Sequence, residues 1–329
     1  MTASGIQQRA TRDGRSAILL AALAWSTAGL AQRGLDATAA TQVAGRAIFA
    51  GLALLVVVVL MGRGRTVAAF RAMGLWGIAM AVFLAISSGT FLLALNYATV
   101  ANVLFMQAAA PMLAALLGWA LLSERVDGRT WGALVLATAG VALMAAGSFE
   151  AGYLAVALPL VMTASFAAVI VIARHRREVS MMPATCASQV LVVLAFAPFV
   201  SVGTATGSDW AILAALGVGQ MGLGLALLTR GARLIPPAEV AVISLLEIVL
   251  GPLWVWLAYR EQPTAATLVG GAVVVAAVVL QAGAPASWRM GRGSSNRSPT
   301  PPESEAQRAL PAEEEAVAAR VHASQTGRP

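Results

Sequence analysis

No lysine occurs in this chain, and all 22 basic residues are arginine. There is one cysteine, Cys186, which excludes an internal disulfide and any cysteine-based metal site. Of the two histidines, His175 falls in a basic loop and His322 in the C-terminal region. Charged residues make up only 11% of the 329, against 59% hydrophobic, and mean hydropathy is +0.78. So few charges cannot cover the surface of a water-soluble domain, and the balance is that of a polytopic membrane protein. The net charge of +7 does not point to nucleic acid, because most of the arginines lie between apolar runs, where they set membrane orientation.

Crossing about 30 Å of hydrocarbon takes a helix of roughly 17 to 25 mostly apolar residues. Ten such runs are predicted, near 16–31, 41–62, 72–94, 98–120, 129–147, 152–173, 183–202, 210–228, 237–258 and 264–284. The first, preceded by Arg9, Arg12 and Arg15, has the charge pattern of a signal peptide, but with nine runs after it a retained signal-anchor is expected. With a cytoplasmic N-terminus, the inner segments hold fifteen arginines: Arg9, Arg12, Arg15, Arg63, Arg65, Arg71, Arg125, Arg129, Arg174, Arg176, Arg177, Arg230, Arg233, Arg289 and Arg292. The outer segments hold two, Arg33 and Arg260. The bias places both termini in the cytoplasm.

The chain repeats itself. Tyr97 to Arg125 can be laid without a gap on the stretch ending in Glu261, so that Ala101-Asn102-Val103 meets Ala238-Glu239-Val240 and Glu124 meets Glu261. Five spans per copy is an odd number, so the copies enter the membrane in opposite senses. The expected fold is an all-α membrane protein of ten transmembrane helices arranged as two five-helix inverted-topology repeats. That architecture serves transporters, which seat a substrate between the repeats near the midplane. Residues 1–15 form a cytoplasmic segment, 16–147 the first repeat, 152–284 the second. The Pro-, Ser- and Gly-rich stretch 285–329 is expected to be a disordered cytoplasmic tail, with Trp288 and Arg289 anchoring the last helix at the headgroups.

The duplicated stretches also carry a family resemblance. Pro111, Leu-Leu-Ser-Glu124-Arg, Trp131-Gly132-Ala133 and Ala139-Gly140-Val141 resemble the first EamA domain of the drug/metabolite transporter superfamily. Ala238-Glu239-Val240, Ser244-Leu-Leu-Glu247, Gly251-Pro252-Leu-Trp254, Glu261 and Gly270-Gly271 resemble the second. The resemblance spans about residues 16 to 284. It implies a ten-helix inner-membrane carrier of amino acids, metabolites or drugs, usually an exporter. One departure is Ile248, where the family often has proline after the glutamate; Pro252, a turn later, is the alternative source of a kink.

Glu247 heads the candidate site residues. An ionised carboxylate ten residues from either end of a span costs at least about 2 to 3 kcal/mol, so it must be protonated, paired or wetted. Its repeat equivalent is Ala110, so the duplication does not account for it. It reads either as a substrate-amine or proton site or as a carboxylate holding a neighbouring helix end. Ser244 shares its face, as Gln107 does in the first copy. Arg46, the one arginine inside a span, is either an interfacial or structural residue, within snorkelling reach of water, or a cavity residue that neutralises Glu247 or a substrate carboxylate.

Trp25, Ser26 and Thr27 make a polar and aromatic patch in the first span, with Thr163 and Ser165 at the comparable place in the sixth; substrate contact competes with bonds to their own backbone. Asn96, Asn102 and Glu239 flank helix starts, where capping competes with gating. Gln107, Gln189 and Gln220 need partners in lipid. Glu124 and Glu261, with Pro111 and Pro252, are structural or gating candidates.

No phosphate-binding loop, soluble nucleotide domain or metal cluster is found in the sequence, so neither metal nor cofactor is expected. The leading reading is a gradient-coupled transporter of small polar metabolites, not an enzyme, with membrane lipid and a small-molecule substrate as partners, protons as a coupling ion, no nucleic acid, and a monomer or homodimer as its state. The alternatives are an intramembrane enzyme acting on lipid or peptide and an importer of the same fold.

Overall fold

The structure, a computed structural model, describes residues 3–62, 64–122, 128–148, 152–176, 180–232, 234–235 and 237–282. Every regular element among them is a helix: α1 (Ala3–Ser26), α2 (Ala28–Arg33), α3 (Ala39–Gly62), α4 (Thr66–Ala72), α5 (Gly74–Tyr97), α6 (Val100–Ala108), α7 (Ala110–Leu122), α8 (Gly128–Ser148), α9 (Leu154–His175), α10 (Met182–Phe196), α11 (Gly207–Ala214), a π-helical segment (Ala215–Leu223), α12 (Gly224–Gly231), α13 (Pro237–Tyr259) and α14 (Ala265–Ala282), with short 3-10 turns between α10 and α11. Eight helical stretches among the described residues are long and apolar enough to cross a membrane, and Ile243–Tyr259 and Ala265–Leu280 are shorter apolar helices. Helix is what lipid imposes, because it satisfies every interior backbone group within the segment. The lipid-facing sign is on the surface too: Leu60 and Leu121 are each 72% exposed.

The first helix starts at Ala3, so the polar residues expected as a separate segment continue the helix that becomes apolar near Ser16. The stretch 98–120, expected as one span, is one apolar helical stretch long enough to cross, Val100–Leu121, with a break inside it that divides α6 from α7. Pro111 has no N–H to offer the Gln107 carbonyl, and the ladder breaks at Ala109 between α6 and α7. Pro252 has no such effect, and α13 runs through it. Pro159, inside α9, frees the Ala155 carbonyl, which accepts a hydrogen bond from Asn102 Nδ2 of α6 at 3.4 Å. A helix defect in one half is thus closed by an amide of the other. Glu124 and the stretch 285–329, with Trp288, lie outside the described residues.

The halves interlace and fall within one compact unit. α1 packs on α12 and α13, while α9 packs on α5 and α7; α3 meets α10 and the π segment, while α10 meets α3 and α5; α8 pairs with α14 and α6 with α13. Exchanging first-half helices for their second-half counterparts returns these same pairings. α6 also lies along α14, and among the described residues α13 and α8 show no comparable contact. One apolar cluster joins Leu95, Val100, Val103 and Leu104 to Ala155, Met162 and Val255, so neither half has a core of its own. At the α8–α14 crossing, a Cβ on Gly140 would lie 2.6 Å from the Gly270 carbonyl oxygen and one on Gly270 2.5 Å from that of Gly140, so the backbones touch.

Candidate functional site

Arg46 sits in the first half of α3, whose residues from Thr41 to Ala47 are all buried. It is 3% exposed and does not reach water by snorkelling. Its Nη1 donates to Gln220 Oε1 at 3.1 Å and its Nη2 to Ser88 Oγ of α5 at 2.7 Å, while Nε has no partner. Among the described residues no carboxylate forms an ion pair with it; Glu247 does not.

Gln220 is held by the π segment, in which each turn carries one residue more than an α-turn and so rotates the later residues of the helix onto a different face. Its Nε2 donates to the Trp25 carbonyl at 3.2 Å, and Trp25 Nε1 donates back to the Gln220 carbonyl at 2.7 Å. Gly224 leaves room for the indole, since a Cβ there would come within 2.5 Å of Trp25 Nε1. The next residue, Ser26, is buried and accepts a hydrogen bond from Trp254 Nε1 of α13 at 3.1 Å. Ser88, Arg46, Gln220 and Trp25 therefore form one chain of hydrogen bonds across α5, α3, the π segment and α1, with the Ser26–Trp254 bond extending it to α13.

Glu247 lies one and two turns before Gly251 and Trp254, on the face of α13 that meets α1 and α6. A Cβ on Gly251 would strike Leu104 of α6 and lie 3.6 Å from the Ser26 carbonyl oxygen of α1. Glu247 and Ser244 are half-buried, and among the described residues the Glu247 carboxylate has no hydrogen-bond or ion-pair partner. Gln107, on α6, has a buried Oε1 without a partner.

Of the sequence-predicted residues, Trp25, Ser26, Arg46 and Gln220 meet in this network. Thr27, between α1 and α2, is exposed and donates back to the Ala24 carbonyl of α1, and buried Thr163 donates to the Pro159 carbonyl of its own helix. Thr99, not Asn102, caps α6, its Oγ1 accepting from Asn102 N at 3.2 Å. Glu239 falls in the first turn of α13, and its side chain is outside the described part. Sequence reasoning did not single out Ser88, although the Ser87-Ser88 pair interrupts an apolar run, nor Trp254, visible only as part of a family motif.

A second cluster closes one end of the bundle. Arg33 Nε donates to Glu261 Oε2 at 2.8 Å, its Nη1 to the Leu95 carbonyl and its Nη2 to the Ala98 carbonyl at 3.0 Å. Glu261 Oε1 accepts the Val100 N–H at 2.7 Å, one of the donors that the start of α6 leaves free. Gln42 ties the same end together, accepting from Gln32 and from Asn96 Nδ2 and donating to the Ala37 carbonyl at 2.8 Å. Asp209 caps α11 with Thr206 and accepts the Asp36 N–H at 3.1 Å.

An apolar groove of 570 Å³ is a separate feature. It lies between α3, α4, α5 and α10, is lined by side chains such as Leu55, Phe70 and Cys186 together with Gln189, and includes neither Arg46 nor Glu247.

Comparison with known proteins decides what kind of molecule holds this network. The EamA-like transporter family matches twice, over residues 14–146 and 152–282. The chain belongs to the EamA-like transporter family. This EamA protein is therefore a multi-pass membrane protein of a transporter family. A solved crystal structure aligns with it at a TM-score of 0.58 and 21% identity over 83% of this chain and 97% of that one, which is a likeness of fold. No curated protein matches the chain.

Proposed function

We propose that this EamA protein is a secondary transporter of small polar metabolites, an amino-acid, metabolite or drug exporter working by alternating access between two five-helix inverted repeats, residues 16–147 and 152–284. The observation that carries the reading is the Ser88–Arg46–Gln220–Trp25 chain. It is a largely buried polar path that carries the charge of Arg46, drawn from helices of both halves. Charged and amide groups at such depth are costly, and in membrane bundles they mark solute and ion pathways. The exchange symmetry of the helix pairings supports ten spans in two related sets, since the main partner of every helix but the short α4 lies in the other half. Glu247, half-buried and unpartnered among the described residues, is the proposed proton or substrate-amine group, with Ser244, a turn earlier on α13, and Gln107 of α6 as further proposed binding residues.

The Arg33–Glu261 cluster fits a gate at the end the arginine pattern assigns to the outside. Breaking and remaking it would alternate access, with Asn102, Glu239, Pro111 and Pro252 shaping the helix starts and bends around it. With both termini cytoplasmic in the inner membrane and no nucleotide motif in the sequence, a proton or solute gradient supplies the energy. Membership in a transporter family weighs against an intramembrane enzyme. The test is flux: protein purified and reconstituted into liposomes is assayed for accumulation of radiolabelled amino acids and small organic acids under an imposed pH gradient. Accumulation dependent on protein and gradient is expected. Turnover of a lipid with no solute movement would favour the enzyme instead.

A further inference from the structure

We infer that Arg46 is the anchor for a carboxylate on the transported solute, which therefore presents a single negative charge between α3, α5 and the π segment. The inference rests on the transport reading above. A guanidinium has five N–H donors. Here two of its hydrogens are engaged, by Gln220 and Ser88, and both partners are neutral. The Nε–H is buried without a partner, and among the described residues no carboxylate offsets the charge. A group that served only to join α3 to α5 and the π segment would do so at less cost as a neutral amide, which can also donate to Ser88 and Gln220. The full charge is what the helix-joining role leaves unexplained, and a buried charge without a counter-ion is costly.

The donors not engaged within the protein select the ligand. The planar fork of arginine matches the two oxygens of a carboxylate, and the hydrogens left over on Nε and the Nη atoms suit a two-pronged contact. A phosphate ester carries about −1.5 to −2 at neutral pH and would bring more charge than one buried cation offsets. Trp25, fixed by its two bonds to Gln220, supplies an apolar face one residue along the same chain of contacts. Entry requires the π segment to part from α3, against which it now lies so closely that a Cβ on Gly217 would sit 2.8 Å from the Arg46 carbonyl oxygen. A π-turn is a weak point of a helix and a suitable place for that movement.

The test uses the full chain in detergent, with acetate, propionate and butyrate compared with acetamide, propionamide and butyramide at equal concentration and ionic strength. Each carboxylate is expected to raise Tm by about 2 to 4 °C at roughly five times its dissociation constant, and each amide to leave Tm unchanged. Arg46→Gln is expected to lose the difference. Arg46→Lys keeps the charge without the fork, protects against a folding defect, and is expected to bind the carboxylates severalfold more weakly. Equal effects of acid and amide on the native chain, an undiminished difference in Arg46→Gln, or native affinity in Arg46→Lys would overturn the assignment. A protein that moves uncharged or cationic solutes in liposomes without carboxylate preference would lose the anchor and keep the transport reading. Carboxylate preference with no flux of any solute would do the reverse.

Discussion

Trp25 and Gln220 hold each other by reciprocal hydrogen bonds, the indole N–H to the Gln220 carbonyl at 2.7 Å and the Gln220 amide to the Trp25 carbonyl at 3.2 Å. The pair fixes α1 to the π segment and in doing so aims Gln220 Oε1 at Arg46. Trp25→Phe keeps the aromatic bulk and removes the donor, leaving a carbonyl in an apolar setting. The expected loss is about 1 to 3 kcal/mol, read as a drop of several degrees in thermal unfolding. Trp25→Phe at native stability would mean that the bond is dispensable.

Arg33 and Glu261 should couple. Their side chains are 26% and 19% exposed, so solvent discounts the charge term, but each also satisfies backbone groups of the α5–α6 connection. A double-mutant cycle of Arg33→Ala and Glu261→Ala is expected to give a coupling of about 1 kcal/mol in thermal or denaturant unfolding. In liposomes, either variant should leak solute from the closed state; strict additivity with native flux would remove the gate.

The glycines of α8 are not alike. A methyl at Gly140 collides with the backbone of Gly270, whereas one at Gly132 has nothing within 4 Å. Gly140→Ala is expected to destabilise by about 1 to 3 kcal/mol through overpacking, and Gly132→Ala to be neutral or to stabilise by about 0.5 to 1 kcal/mol. Melting of the two variants side by side checks the order.

Arg260 ends α13 with φ of 56°, in the left-handed region that disfavours a side chain. That conformation reverses the chain so that Glu261 turns back to Val100. Arg260→Gly is expected to raise stability by about 1 kcal/mol without altering flux, as measured by thermal unfolding.

Much of the fold was legible because lipid imposes helix on any long apolar run. The duplication of Tyr97–Arg125 in the stretch ending at Glu261 was legible as well, being a matter of local spelling. What could not be read was which polar residue meets which. Arg33 and Glu261 are 228 residues apart, as are Ser26 and Trp254, and Ser88 finds Arg46 only because α3 and α5 are neighbours. Arg46, placed by sequence near the outer end of a span, read first as an interfacial or structural arginine and second as a cavity residue, and its burial at 3% exposure removes only the reading that it reaches water. The break at Ala109 followed from Pro111 by a rule that Pro252 does not obey, because a proline removes one bond and the packing around it decides whether the helix yields.

Glu247 gives the most direct test of the account, which holds that a solute crosses the bundle beside this carboxylate. Protein in liposomes is assayed for pH-gradient-driven accumulation of radiolabelled amino acids and small organic acids, with native chain, Glu247→Gln and protein-free vesicles in parallel. The account predicts accumulation by the native protein and the protein-free level for Glu247→Gln, with the variant inserted and melting at or above the native temperature. Full-rate accumulation by Glu247→Gln would contradict it.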